Sequence, residues 1–324
     1  MAGIGSSTVR SSFNEETTPG TIKATPSWKT MHVGPQFTGQ VERYHTPSLV
    51  GTGSLMGDAL LNKTAVGSIP DHPMVYTALD PIMETLMQST WSANAMSNGM
   101  ASTSLSFEDT IPLGIGGALR YKRYVGVEAI SGIIKGDAEG LITQSFELLG
   151  MNSNDTASAI ITGATYTNPS NIDPFSAQTD FGTFTAAGYT LDPTAGFQID
   201  MAYGGVGGAV REGQPKMGGD GLVGITRGGF QPKITAKFYV DTNFQAFHDA
   251  VRSSAQTSFK VTLNFGSITA KKYRYEFWSC IADLAPLDFS SATGYMSVTF
   301  TALHNVAQGL SLIHISEPTR LRRI

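Results

Sequence analysis

The sequence predicts a mainly β chain built as two copies of one unit, each carrying a single α-helix. Three observations predict it. Apolar and polar residues alternate in strand-like runs along both halves. The order strand, helix, strand, strand, strand occurs twice. The composition is rich in glycine and poor in charge, with 36 Gly in 324 residues and 15% charged against 41% hydrophobic residues. That mix suits strands joined by tight turns rather than long charged helices.

The second copy is the clearer. Ile234, Ala236, Phe238 and Val240 alternate with Lys233, Thr235, Lys237 and Tyr239, which reads as a half-buried strand. Asp241 and Thr242 offer N-caps for a helix with Phe244, Phe247 and Val251 on one face. Three strands follow, marked by Phe259, Val261, Leu263 and Phe265, then Tyr273, Tyr275 and Phe277, then Met296, Val298, Phe300 and Ala302.

The first copy keeps that order. Asp80 is expected to cap a helix with Pro81 at its first position, and Ile82, Met83, Leu86, Met87 and Trp91 give it an apolar face. A strand is expected over Ala101, Thr103, Leu105 and Phe107, and another through Tyr121 and Tyr124–Val127. The closing strand matches best: Gly140–Leu149 aligns without a gap on Gly294–Leu303, with Gly, Phe and Leu identical. The expected organisation is an N-terminal extended arm (1–35), a first unit (36–180), a Gly-rich linker (181–230) and a second unit (231–309).

Residues 310–324 are set aside as non-native. Leu310–Arg320, reading LSLIHISEPTR, resembles a transposase-based sequencing adapter translated in frame. Net charge is −4 over the whole chain and −6 without this tail, which loses Arg320, Arg322, Arg323 and Glu317. Such a balance argues against a strongly basic nucleic-acid-binding domain. One cysteine, Cys280, excludes a disulfide scaffold and a cysteine-based zinc cluster. No apolar run is long enough for a membrane span, and no secretory signal is expected at the N-terminus.

Chemistry-bearing patterns are sparse. No two of His32, His45, His72, His248, His304 and His314 stand at metal-binding helical spacing. The run Gly114-Ile-Gly-Gly117 and the run Gly204–Gly208 read as turns, since neither has the strand, helix and G-K-[ST] ending of a phosphate loop. Glu108-Asp109, Asp137 with Glu139, Glu212 and Asp220 sit at or beside expected turns and read as solvated caps, the alternative being a glycosidase acid pair. Arg120, Lys122 and Arg123, and Lys271-Lys272, read as edge-guarding cations rather than a single-strand nucleic-acid platform. No catalytic, cofactor-binding or metal residues are assigned, and no cofactor is expected.

The repeated unit carries a family resemblance. Leu79-Asp-Pro-Ile-Met-Glu-Thr-Leu-Met-Gln-Ser-Thr-Trp91 resembles the helix of tail tube (major tail) proteins of long-tailed bacteriophages of siphophage type. The pair Tyr124-Val-Gly-Val-Glu-Ala-Ile-Ser-Gly-Ile-Ile134 and Gly140–Gly150 is similar to two strands of that family, and Phe13–Thr21 to its N-terminal Glu-Thr-x-x-Gly-Thr segment. The resemblance implies a duplicated tail-tube fold, a β-sandwich or barrel with a flanking helix in each copy. It implies a structural virion protein, not an enzyme, that self-assembles into stacked rings and conducts double-stranded DNA during ejection without binding it specifically. Three chains, or six, would make a ring, and the lumen would be net acidic. Implied partners are the chain itself, a tape-measure protein, a tail terminator and baseplate or initiator proteins, with no membrane. Implied location is the virion tail, assembled in the bacterial cytoplasm. The alternative reading is another β-rich virion protein of capsid, baseplate or adhesin type.

Overall fold

The computed structural model describes residues 9–47, 55–114, 117–154, 156–169, 173–193, 196–203, 212–215, 221–226, 228–253, 258–268, 271–284, 294–304 and 312–316, with side chains at all of these except 39–47, 55–63, 212, 215 and 312–316. The first half contains β1 (Arg10–Glu15), β2 (Ser27–Thr30), β3 (Gln36–Pro47), β4 (Leu55–Pro73), α1 (Asp80–Met87), β5 (Ala95–Ser97), β6 (Leu105–Pro112), β7 (Leu119–Gly136), β8 (Ile142–Gly150), β9 (Asn152–Ser153) and β10 (Thr165–Thr167). The second contains α2 (Ala177–Asp180), β11 (Phe181–Ala186), β12 (Tyr189–Leu191), β13 (Phe197–Ala202), β14 (Glu212–Pro215), β15 (Leu222–Thr226), β16 (Lys233–Tyr239), α3 (Thr242–Ser253), β17 (Phe259–Phe265), β18 (Lys272–Leu284), β19 (Tyr295–Ala302) and β20 (Leu312–Ser316). The chain is mainly β, as its alternation predicts.

Strand neighbours run in the same order in both halves. The first pairs β2–β1–β6–β7–β8–β4–β3, and the second β12–β11–β17–β18–β19–β16–β13, antiparallel throughout. Each half places its helix between the equivalent strands, α1 after β4 and α3 after β16. The gapless match of the two closing strands holds in the ladders as well. Glu147 of β8 lies between Ser68 and Ser131, and the matching Thr301 of β19 between Lys233 and Ile281.

A bulge recurs at one place in each half. Val125 and Gly126 oppose Ser106, and Trp278 and Ser279 oppose Lys260. Gly126 has φ +62°, the left-handed region that glycine enters without steric cost. A bulge bends a long strand, and β7 passes from the sheet it shares with β6 into the one it shares with β8 and β13.

Between the halves, β13 pairs antiparallel with β7, from Phe197 opposite Gly136 to Ala202 opposite Ser131. One sheet therefore continues through β3–β4–β8–β7–β13–β16–β19–β18. The core is likewise continuous, running from Phe13, Phe107 and Phe146 to Phe184, Phe238, Phe265 and Phe300. Tight approach explains Gly132: a Cβ there would lie 2.8 Å from Leu86 of α1 and 2.9 Å from the Phe146 ring.

Several local expectations are corrected. Asp80 is the first residue of α1 rather than its cap; Leu79 holds the cap position and makes no side-chain bond. The Asp80 carboxylate is turned instead toward the second half, where the Tyr273 hydroxyl donates to it at 2.6 Å. In α3 the cap is Asp241, whose Oδ1 accepts the Phe244 N–H at 2.7 Å. β6 begins at Leu105, not Ala101. Residues 10–15 and 27–30, expected in an extended arm, pair with β6 and with each other, and Trp28 is fully buried. Residues 181–202, expected as linker, carry β11, β12 and β13, whose Phe184, Leu191, Phe197, Ile199 and Met201 enter the core. Leu312–Ser316, inside the segment read as adapter-derived, adds as β20 to Lys272–Glu276 of β18 and to β5. An exposed strand edge accepts any β-prone segment that reaches it.

Candidate assembly interface

One face of the eight-strand sheet lies on the core; the other carries hydroxyls. Along β8, Ile142, Gln144, Phe146 and Leu148 are buried, while Thr143, Ser145 and Glu147 point away. Along β19, Met296, Val298 and Phe300 are buried, while Ser297, Thr299 and Thr301 share the outer face. Thr64, Ser68, Ser131, Gln198 and Thr235 continue it on neighbouring strands. Thr235 and Thr299 approach side by side, with their hydroxyl oxygens 3.4 Å apart. Charge on this face is sparse and nearly balanced. Among the described residues, Asp71, Glu147, Asp200 and Asp283 face Lys135, Lys233 and Lys237, and Asp71 pairs with Lys135 at 2.6 Å.

The two ends of this sheet are strand edges. At one end β3 pairs with β4 and, among the described residues, with nothing on its other side. At the other end β18 pairs with β19 over Cys280–Leu284, while β17 reaches only as far as Cys280 on the opposite flank. Ile281 is 38% exposed there.

The two halves are fastened by Tyr273. Its hydroxyl donates to Asp80 and accepts the Thr77 N–H at 2.7 Å, and its ring meets Tyr76 and Phe175. Burial, then the neighbouring Asp80 carboxylate, drives its pKa well above the usual tyrosine value. Tyr203 adds a second tie by donating to the Leu86 carbonyl.

Glu16, in the Glu-Thr-x-x-Gly-Thr segment, supports the β7 bulge. Its Oε1 accepts from Ser106 Oγ at 2.5 Å and Gly126 N at 3.0 Å; its Oε2 accepts from Ser104 Oγ at 2.6 Å and Gly20 N at 2.7 Å. One carboxylate thus binds the bulge, the strand opposite and the turn that follows it. In the helix motif, Glu84 accepts the Trp91 N–H at 3.1 Å, and Thr85 donates to the Ile82 carbonyl and accepts the Ala129 N–H. These contacts give both short motifs a packing role. Nothing in the spacing alone revealed what Glu16 binds, because Ser104, Ser106 and Gly126 lie far along the chain.

The residues that composition singled out do not converge. Glu108 is fully buried and holds Arg123 Nε at 2.7 Å and the Tyr166 hydroxyl at 2.6 Å. Asp109 points to the other face of the same strand and takes the Ser11 hydroxyl at 2.5 Å; burial raises its pKa, and Glu108 adds to the rise. Lys122 donates to the Asn154 carbonyl, and Arg274 and Lys260 both reach Glu276. Gly114 has φ +88° at the tip of the β6–β7 hairpin. Cys280 is buried, and burial pushes its thiol up to about 12. Glu212 lies in β14. Gly204–Gly208 and Asp220 lie outside the described residues. No group of three His, Cys, Asp or Glu suited to a metal ion occurs among the described residues.

The sequence model described as phage tail tube protein matches residues 6–302, nearly the whole chain. The chain belongs to this family. No curated protein matches it. A tail tube protein is structural and located in the virion tail, and membership of this family favours a non-enzymatic role. Among the described residues of this tail tube protein, no helix is long and apolar enough to cross a membrane.

Proposed function

We propose that this tail tube protein assembles with itself into rings, and that the stacked rings form the conduit through which double-stranded DNA is ejected. The observation that carries the reading is the eight-strand sheet with a bare hydroxyl face and two strand edges at its ends. A sheet of this kind closes into a barrel by edge pairing, which removes the edges. The face away from the core and helices then becomes the lumen wall. The matched order of strands, bulges and helices supports two tube units per chain, so that three chains supply six units, against six chains if only one unit lined the lumen.

A wall whose described side chains include many Ser and Thr, with four carboxylates against three lysines, suits passage of a polyanion. Hydroxyls offer weak neutral contacts, whereas clustered cations would bind phosphates tightly and in a salt-dependent way. Tape-measure, terminator and baseplate or initiator proteins are the expected partners at the tube's centre and ends, with assembly in the bacterial cytoplasm. The test is negative-stain electron microscopy of the concentrated protein. Rings or tubes with a central channel are expected, and their rotational symmetry separates three chains from six. Closed particles without a channel refute the reading.

A further inference from the structure

At the end of β4 a buried histidine keeps half of its hydrogen-bonding capacity unused. Ile69 and His72 stand three residues apart yet both are buried, because the pairing with β8 slips between them; strict alternation would have turned Asp71 inward instead. His72 Nδ1 lies 2.7 Å from the Pro73 carbonyl, and a carbonyl only accepts, so Nδ1 carries the proton. Burial lowers the pKa of the ring and keeps it uncharged at neutral pH. The lone pair is therefore on Nε2, which is buried and has no hydrogen-bond partner among the described residues.

His32 leans edge-on against this ring. The two ring centres are 6.0 Å apart, with the planes at 61°. His32 itself is exposed just after β2, so its side chain has room to turn. A cavity of about 490 Å³ opens beside the pair, between β1, β2 and the start of α1. Both histidines line it. So do the carboxylates of Glu15, Asp80 and Glu84, with Lys29 the one lysine or arginine among the described residues of its wall.

We propose that His72 Nε2 and a ring nitrogen of His32 hold a divalent transition-metal ion of the Zn2+, Ni2+ or Cu2+ type, with water from the cavity completing its shell. Neutral imidazole is a preferred ligand of these ions. A metal about 2.1 Å from a nitrogen of each ring sits about 3.2 Å from each ring centre, which places the two centres about 5–6 Å apart. The observed separation therefore needs only a small turn of His32. The bond from His72 Nδ1–H to a backbone carbonyl is the outer contact that orients a ligating histidine and fixes its tautomer. Three carboxylates around the cavity favour a cation by their field. Two imidazoles make an open site, unlike the closed four-ligand centre of a structural zinc. Bound there, the ion ties the residues after β2 to the end of β4, beside α1.

The full chain, without an affinity tag and stripped with chelator, is titrated with Zn2+ by calorimetry and loaded with Cu2+ for electron paramagnetic resonance. One Zn2+ per chain is expected, and a Cu2+ spectrum coupled to the nitrogens of two imidazoles. His32→Ala, at an exposed position, should weaken Zn2+ binding by about tenfold or more with the circular dichroism unchanged. His72→Gln should abolish binding, and His248→Ala, on α3, should leave it as in the wild type. Zn2+ should raise the urea midpoint of the wild type and not that of His32→Ala. Should His72→Gln fail to fold, His32→Ala and the Cu2+ spectrum still decide. No stoichiometric binding, binding that survives His32→Ala, loss in His248→Ala instead, or a spectrum with fewer than two imidazole nitrogens overturns the site.

Discussion

Replacing Glu16 by Gln should be nearly as damaging as removing the side chain, although the two side chains have the same shape. Four donors converge on the carboxylate: two hydroxyls and two backbone N–H groups, one of each kind on either oxygen. Glutamine keeps one acceptor oxygen and replaces the other with an NH2. The Ser hydroxyl on that side can rotate to accept, but the Gly20 or Gly126 N–H cannot, and it is left facing another donor. A stranded donor costs about 1–3 kcal/mol, and weakening the remaining charge-assisted bonds adds to it, for a total of about 2–4 kcal/mol. The measurement is urea unfolding of the non-assembled protein followed by circular dichroism. With a slope near 3 kcal/mol per molar urea, the midpoint should fall by about 1 M for Glu16→Gln and by at least as much for Glu16→Ala. A Glu16→Gln midpoint within about 0.5 kcal/mol of the wild type, with Glu16→Ala clearly lower, refutes the four-donor account.

Other consequences follow from single contacts. Tyr273→Phe removes the buried phenol hydroxyl between Asp80 and Thr77 and should cost about 1–3 kcal/mol in the same unfolding assay; no loss would show that this hydroxyl contributes nothing to fastening the halves. His72 is buried, with Nδ1 2.7 Å from the Pro73 carbonyl; burial is the main cause of its lowered pKa, and His32 lowers it further. The unfolded ring therefore takes its proton first, so stability should fall as pH drops below the ordinary 6.5 and level off only below the native value. His72→Leu should flatten that acid limb of the urea midpoint, and an unchanged limb refutes the assignment. Thr235→Lys combined with Thr299→Lys places two cations side by side on the hydroxyl face. Tubes of this variant should retain duplex DNA at low salt and release it as salt rises, in a filter-binding assay where wild-type tubes retain none; equal retention by both would remove that face from the lumen.

Much of the architecture was legible from local pattern. Alternation at period two marked β16, β17 and β19, because a half-buried strand must alternate wherever it lies. Phe244, Phe247 and Val251 marked α3 by the same logic at helical spacing, and the match of Gly140–Leu149 to Gly294–Leu303 anticipated the shared ladder positions of Glu147 and Thr301. Tertiary structure alone decided which edges meet. That β13 joins β7 depends on partners more than sixty positions apart along the chain, from Phe197 opposite Gly136 to Ala202 opposite Ser131, and pairing between distant strands leaves no periodic trace in either of them. The same holds for Asp80, which a local reading makes a helix cap and the fold gives to Tyr273, and for Phe184 and Leu191, which lie in a stretch that its glycines made look like a linker. Sequence determines which residues seek burial and with what period; the long-range ladder determines which of them find one another, and so where the sheet's two open ends are left.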